Sequence, residues 1–152
     1  MSLRFQKLAA HAIFLLPAFC ISANGAEVTH MNSGAVLPTN LPFSEMVLAD
    51  DTLYLSGQIG IIPGTLELAS GGVEAQARQV LSNIKASLEA NGYTMKNIVK
   101  CTVMLDDISD WSKFNKVYVE FFDKDAYPAR SAFGVDGLAL GALVEVDCQG
   151  VR

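Results

Sequence analysis

Three charged residues stand out as groups that could do chemistry. They are Glu145 and Asp147 in Val144-Glu145-Val146-Asp147-Cys148, and Arg130 in Pro128-Ala129-Arg130-Ser131. Alternation along a strand sends Val144, Val146 and Cys148 to one face, so the two acids must point to the other. Such a pair is either solvated or lines a face that another subunit covers. Arg130, taken alone, reads as a surface charge, as most arginines are. Other machinery is short of parts. Beyond residue 26 the chain has two cysteines, Cys101 and Cys148, and one histidine, His30, with no CxxC pair. That is too few soft ligands for a zinc site and too few partners for a Cys-His or Ser-His-Asp nucleophile. Neither a metal nor an organic cofactor is expected.

The charge distribution narrows the partners. Residues 1–26 hold Arg4 and Lys7 and no acid; without them Lys+Arg falls from 11 to 9 against 16 acids, and the net charge moves from -5 to -7. A domain this acidic, with no basic cluster, is a poor match for a phosphate backbone, so no nucleic-acid partner is expected. The removed stretch has the order of a secretory signal. Positive charges occupy 1–7, a run apolar apart from His11 follows over 8–21, and Ala23-Asn24-Gly25 offers a small-x-small cleavage site. About 14 apolar residues fall short of the roughly 20 that a spanning helix needs. The expectation is a cleaved signal over 1–25, with cleavage after Ala26 as the neighbouring possibility, and one periplasmic or secreted domain over 26–152 with no membrane attachment.

The elements that must hold these groups are read from periodicity. Runs at 43–49 and 52–59 flank Asp50-Asp51 at hairpin spacing. Val73, Ala77, Val80, Leu81, Ile84 and Leu88 line one face of a helix that Asn91-Gly92 should end. Residues 98–105 alternate as a strand with Val99, Cys101, Val103 and Leu105 inward. A second helix is predicted over 111–122, capped by Ser109 or Asp110, with Trp111, Phe114, Tyr118, Phe121 and Phe122 on its buried face. Tyr127-Pro128 restarts an extended chain. Strands at 129–135 and 142–151 complete the order ββαβαββ, an α+β fold with both helices on one face of a single mixed sheet. Oligomerisation would then cover the bare face. Both cysteines fall on inward positions and read as buried free thiols. A disulfide needs their strands to be neighbours.

Several blocks together resemble the RidA (YjgF/YER/UK-type) family. They are Ser56-Gly57-Gln58-Ile59, Glu74-Ala75-Gln76-Ala77-Arg78-Gln79-Val80-Leu81, Asn115 with Val117-Tyr118-Val119-Glu120-Phe121-Phe122, Pro128-Ala129-Arg130-Ser131 and Gly141-Ala142-Leu143-Val144-Glu145-Val146. The resemblance implies a chorismate-mutase-like fold and a homotrimer with three inter-subunit clefts. It also implies hydrolysis of 2-imino or enamine acids, such as 2-iminopropanoate and 2-iminobutanoate, to 2-oxo acids and ammonia. Arg130 matches the family's carboxylate clamp, a task suited to a guanidinium fork. Ser56, Gly57 and Asn115 match its cleft residues. Phe43 stands where many members have tyrosine, and Ala132 where some have cysteine. The resemblance assigns the water-holding carboxylate to Asp147, which is one methylene shorter than the family's glutamate, with Glu145 as a possible second carboxylate. Export and these departures leave a second reading open, an exported, non-catalytic trimer that binds a small carboxylate in the same clefts.

Overall fold

The computed structural model describes residues 25–152. The predicted signal therefore lies outside the described residues, except for Gly25. The remaining chain forms β1 (Val28–Met31), β2 (Met46–Ala49), β3 (Thr52–Ile59), α1 (Gly72–Ala90), β4 (Ile98–Leu105), α2 (Trp111–Tyr118), β5 (Ala129–Gly134) and β6 (Val144–Val151). One six-stranded sheet runs β1-β2-β3-β6-β4-β5. Only the β4–β5 pair is parallel, so the sheet is mixed as expected. Beyond the predicted order there is one extra edge strand, β1, which pairs with β2 and is almost wholly exposed. Its four residues bury too little to print an alternating pattern.

All six apolar positions predicted for α1 are buried. They pack with Leu53 and Leu55, Cys101, Val103 and Leu105, and Val144, Val146 and Cys148, the inward residues of β3, β4 and β6. Phe114, Val117 and Tyr118 of α2 join the same core, so both helices cover one face. Asn91 and Gly92 end α1, and Gly92 takes a left-handed φ of 83° that its missing Cβ permits.

Three local predictions are corrected. The second helix stops at Tyr118, because Glu120 and Phe121 bond three residues back to Val117 and Tyr118, and Phe121 and Phe122 reach the core from this tighter turn. Its first residue, Trp111, is 46% exposed rather than buried. In β4 a bulge between Ile98 and Lys100 reverses the parity, so Ile98 is buried and Val99 faces out.

The cysteines are also corrected. Because β6 inserts between β3 and β4, Cys101 and Cys148 become direct antiparallel partners with Cα atoms 4.1 Å apart, and they form a disulfide. Inward parity was legible for each cysteine. Their adjacency depended on strand order, which parity does not carry.

Candidate active site

Arg130 lies on β5 and is the register partner of Cys101, whose side chain is in the core. Arg130 therefore leaves the sheet on the helix-covered face, at its edge. Its guanidinium carbon sits 4.5 Å from the Tyr118 ring centroid and 5.8 Å from that of Phe114. This aromatic bed orients the fork through cation–π attraction and leaves its N–H groups uncommitted. Arg130 takes part in no ion pair and no side-chain hydrogen bond among the described residues. Open clefts lie on either side of it. One is lined by Ile108, Trp111 and Ala132, the other by Asn115, Tyr118, Val119, Tyr127 and Pro128, and each is about 380 Å³. Asn115 Oδ1 and Tyr118 Oη are buried there without hydrogen-bond partners. Burial raises the Tyr118 phenol above its ordinary pKa, against the pull of the Arg130 charge.

The acids occupy the other face. Asp147 and Ser131 both pair with Thr102, one residue out of phase with the Cys101–Arg130 pairing. A single protomer thus cannot present Arg130 and the acids to one small ligand. The acids themselves differ. Asp147 Oδ1 accepts the backbone N–H of Thr102 at 3.1 Å and is held against the neighbouring strand. Glu145 instead reaches a cleft of about 310 Å³ that Phe43 and Gly57 also line. Burial, and after it the charge of Asp147, hold the Glu145 carboxyl above the usual carboxylate range.

Ser56 and Gly57 sit where the β3–β6 register shifts, a bulge between Leu55 and Gln58. Gly57 leaves room for the Glu145 carboxyl, since a Cβ there would meet Glu145 Oε1 and force that side chain to shift. Ser56 donates its hydroxyl to the Ser44 carbonyl at 2.7 Å, which ties it to the wall that carries Phe43 rather than leaving it free for a ligand.

One residue that holds this site escaped the sequence reading. Glu45, only 4% exposed, forms no ion pair among the described residues. Its Oε2 accepts the N–H and the hydroxyl of Ser33, each at 2.7 Å, and its Oε1 accepts the Ser87 hydroxyl at 2.5 Å. Ser87 in turn receives Gln58 Nε2 at 3.0 Å, next to Gly57. The network pins the 32–45 loop, and so the Phe43 wall, to α1 and β3. Its partners lie 12 and 42 residues away in sequence, and no local pattern announces them. His30 bonds Ser44 through Nδ1, and no cluster of metal-ligating side chains occurs among the described residues. No helix among them is long and apolar enough to cross a membrane.

The fold and site define a small α+β protein with an unpaired arginine on one sheet face and a carboxyl of raised pKa on the other. A family model described as Endoribonuclease L-PSP matches residues 34–151. The chain is 41% identical over 111 residues to the 2-iminobutanoate/2-iminopropanoate deaminase of Homo sapiens, covering 73% of this chain and 80% of that protein. It also matches the structure of YyfA from Yersinia pestis, a protein of unknown function of the conserved Rid family. The TM-score is 0.78 at 35% identity, over 83% of this chain and all of that one. E. coli TdcF, solved with bound serine, gives a TM-score of 0.74 at 32% identity, over 82% and 98% of the two chains. The chain belongs to the Endoribonuclease L-PSP (RidA) family.

Proposed function

We propose that the protein is a hydrolytic deaminase of 2-imino acids that works as a homotrimer. The observation that carries the reading is the pair of incomplete half-sites. One face offers an unpaired guanidinium held on Tyr118 and Phe114, the other a carboxyl of raised pKa beside Gly57. Joined between neighbouring subunits, they suit a substrate that has a planar carboxylate next to an electrophilic carbon. The relative named as a 2-iminobutanoate/2-iminopropanoate deaminase and the serine-bound structure of TdcF support a ligand of this size and charge.

In this account Arg130 takes both carboxylate oxygens in its fork. Glu145, rather than Asp147, orients the water, because Asp147 already accepts the Thr102 N–H whereas Glu145 reaches the cleft. The water oxygen bonds to C2 of the imine and the C=N π electrons move to nitrogen. Glu145 accepts a water proton and returns it to that nitrogen. Glu145 then passes the remaining hydroxyl proton to the amino nitrogen as the tetrahedral adduct collapses, forming the C=O bond, breaking the C–N bond and releasing ammonia. A carboxyl of raised pKa suits both transfers, since a group that holds its proton more tightly is the better base and can still return that proton as an acid. Asp147 contributes the nearby charge that lifts Glu145.

Two features support the predicted export. The leader pattern of residues 1–25 is one, and a buried disulfide, a bond that persists in oxidising compartments, is the other. The test of the activity is ammonia release from an imine generated in situ. The protein should accelerate it, and Arg130→Ala should lower the catalysed rate at least 100-fold, the order expected when near-attack positioning is lost. Equal rates with and without protein would contradict the reading, and saturable 2-oxo acid binding without turnover would point to the non-catalytic alternative.

A further inference from the structure

Asp147 lies at a loosely laced point of the sheet. On its β3 side the ladder is interrupted, because Leu55 pairs with Cys148 and Gln58 with Val146, so Ser56 and Gly57 bulge opposite Asp147. A bulge of this kind removes ladder hydrogen bonds and lets its strand bend. On the β4 side the adjacent row is Cys101–Cys148, with Cα atoms 4.1 Å apart. That spacing belongs to the non-hydrogen-bonded rows of an antiparallel pair, which no backbone bond crosses. Among the described residues the Asp147 side chain makes one hydrogen bond, from the Thr102 N–H at 3.1 Å.

The disulfide fills that gap. It joins β4 to β6 at the row that lacks backbone bonds, one residue from Thr102 and one from Asp147. Cys101 and Cys148 are 0% and 1% exposed, in the core between sheet and helices, so a neighbouring subunit neither reaches nor replaces the bond. An interior packed this closely passes a displacement on to its neighbours. The arginine half of the site has no such dependence. β5 follows β4 in an unbroken register over residues 129–134 and 100–105, and Arg130 is bedded on Tyr118 and Phe114 of α2.

Resting on the deaminase reading above, we propose that Cys101 and Cys148 are positioning residues for the reaction. Their bond stands in for the ladder contacts that the bulge removes, keeps Asp147 on the Thr102 N–H and so fixes the surroundings of Glu145. Without it, β4 and β6 shift against each other at this row and Asp147 leaves its place. The pair acts on the acidic half-site alone, and carboxylate binding at Arg130 is independent of it. Few charges face Glu145. Its register partners, Met104 and Ile59, carry none. Lys100, on the same sheet face, is engaged with Ser131 Oγ at 2.8 Å, and the proposed trimer adds the neighbouring protomer's Arg130. Asp147 is the charge through which the disulfide acts on Glu145.

The experiment compares the oxidised wild type with Cys101→Val/Cys148→Ala, which keeps both positions apolar, at a temperature where circular dichroism shows the variant folded. For an imine generated in situ, kcat should fall by about 10- to 100-fold, the scale of a misplacement of up to about 1 Å. KM and the binding of 2-oxobutanoate should keep their wild-type values, because Arg130 is undisturbed. The Glu145 titration, followed by NMR of its carboxyl carbon, should move down toward the usual carboxylate range as Asp147 leaves it. An unchanged kcat, equal losses in kcat and substrate binding, or a Glu145 midpoint that stays or rises would each overturn the positioning role while leaving the deaminase reading intact. If the wild type hydrolyses no imine, the deaminase reading fails, and the titration then decides alone whether the disulfide places the acids. Should the double variant not fold, wild-type protein refolded and assayed with a phosphine reductant takes its place. If that protein does not fold either, the bond serves folding rather than positioning and the proposal is overturned.

Discussion

Glu145 carries opposite consequences for activity and for stability. Its carboxyl is held above the ordinary range chiefly by burial and secondly by Asp147, so the folded state binds this proton more tightly than the unfolded chain does. The stabilising contribution is therefore complete below the unfolded pKa and is lost as pH rises through the folded value. At neutral pH the ionised group is a cost to the fold. Glu145→Gln should abolish deamination yet raise Tm at pH 7, with the difference vanishing below about pH 4. Thermal melts at the two pH values check this. In the proposed mechanism the ionised carboxylate is also the base, so the rate of the wild type should climb along an acid limb whose midpoint lies above the usual carboxylate range. Asp147→Asn removes the like charge and keeps an oxygen for the Thr102 N–H, so it should move that limb to lower pH. A pH–rate profile that does not shift would remove Asp147 from the mechanism.

Among the elements, what was legible followed from periodicity, and what was missed depended on which elements are neighbours. The α1 face and the span of β3 were plain because burial repeats at the helical and strand periods over 19 and 8 residues. The outward parity of Glu145 and Asp147 was legible for the same reason, and the structure bears it out, with Val144, Val146 and Cys148 in the core. Val99 was misplaced because a bulge inserts one residue and reverses parity without leaving a mark in composition. Trp111 was misplaced because an exposed aromatic beside Arg130 has the same helical spacing as a buried one. The proposed preference for Glu145 over Asp147 also required neighbours. Only the Thr102 partner and the Gly57 contact separate two acids that look equivalent in sequence. The disulfide belongs to this scale too. It staples β4, which neighbours the Arg130 strand, to β6, which carries both acids, and it closes a separation of 47 residues. Replacing both cysteines by alanine should cost about 2–4 kcal/mol of unfolding free energy, mainly through the freed unfolded chain. Denaturation in urea, compared with the oxidised wild type, measures it.

At the scale of the molecule, the sheet's bare face and the split site pose one problem with one solution. Tyr54 and Phe133 lie on the face away from the helices and remain 47% and 46% exposed, which an isolated domain gains nothing by leaving open. Arg130 and Glu145 lie on opposite faces of the same sheet. The proposed closed ring would place one protomer's arginine edge against the next protomer's acidic face, cover apolar surface and complete one cleft per interface. An acidic net charge on each protomer disfavours nucleic acid without preventing such packing. The most direct test of this account is complementation between two inactive variants, Arg130→Ala and Glu145→Gln, co-refolded in equal amounts. If each cleft takes its arginine from one subunit and its glutamate from the next, random mixing restores about one quarter of the clefts to wild-type composition. The mixture should hydrolyse the imine at about one quarter of the wild-type rate, and either variant alone at no more than about one hundredth of it. A mixture as inactive as its components, in particles shown to be mixed trimers, would contradict it.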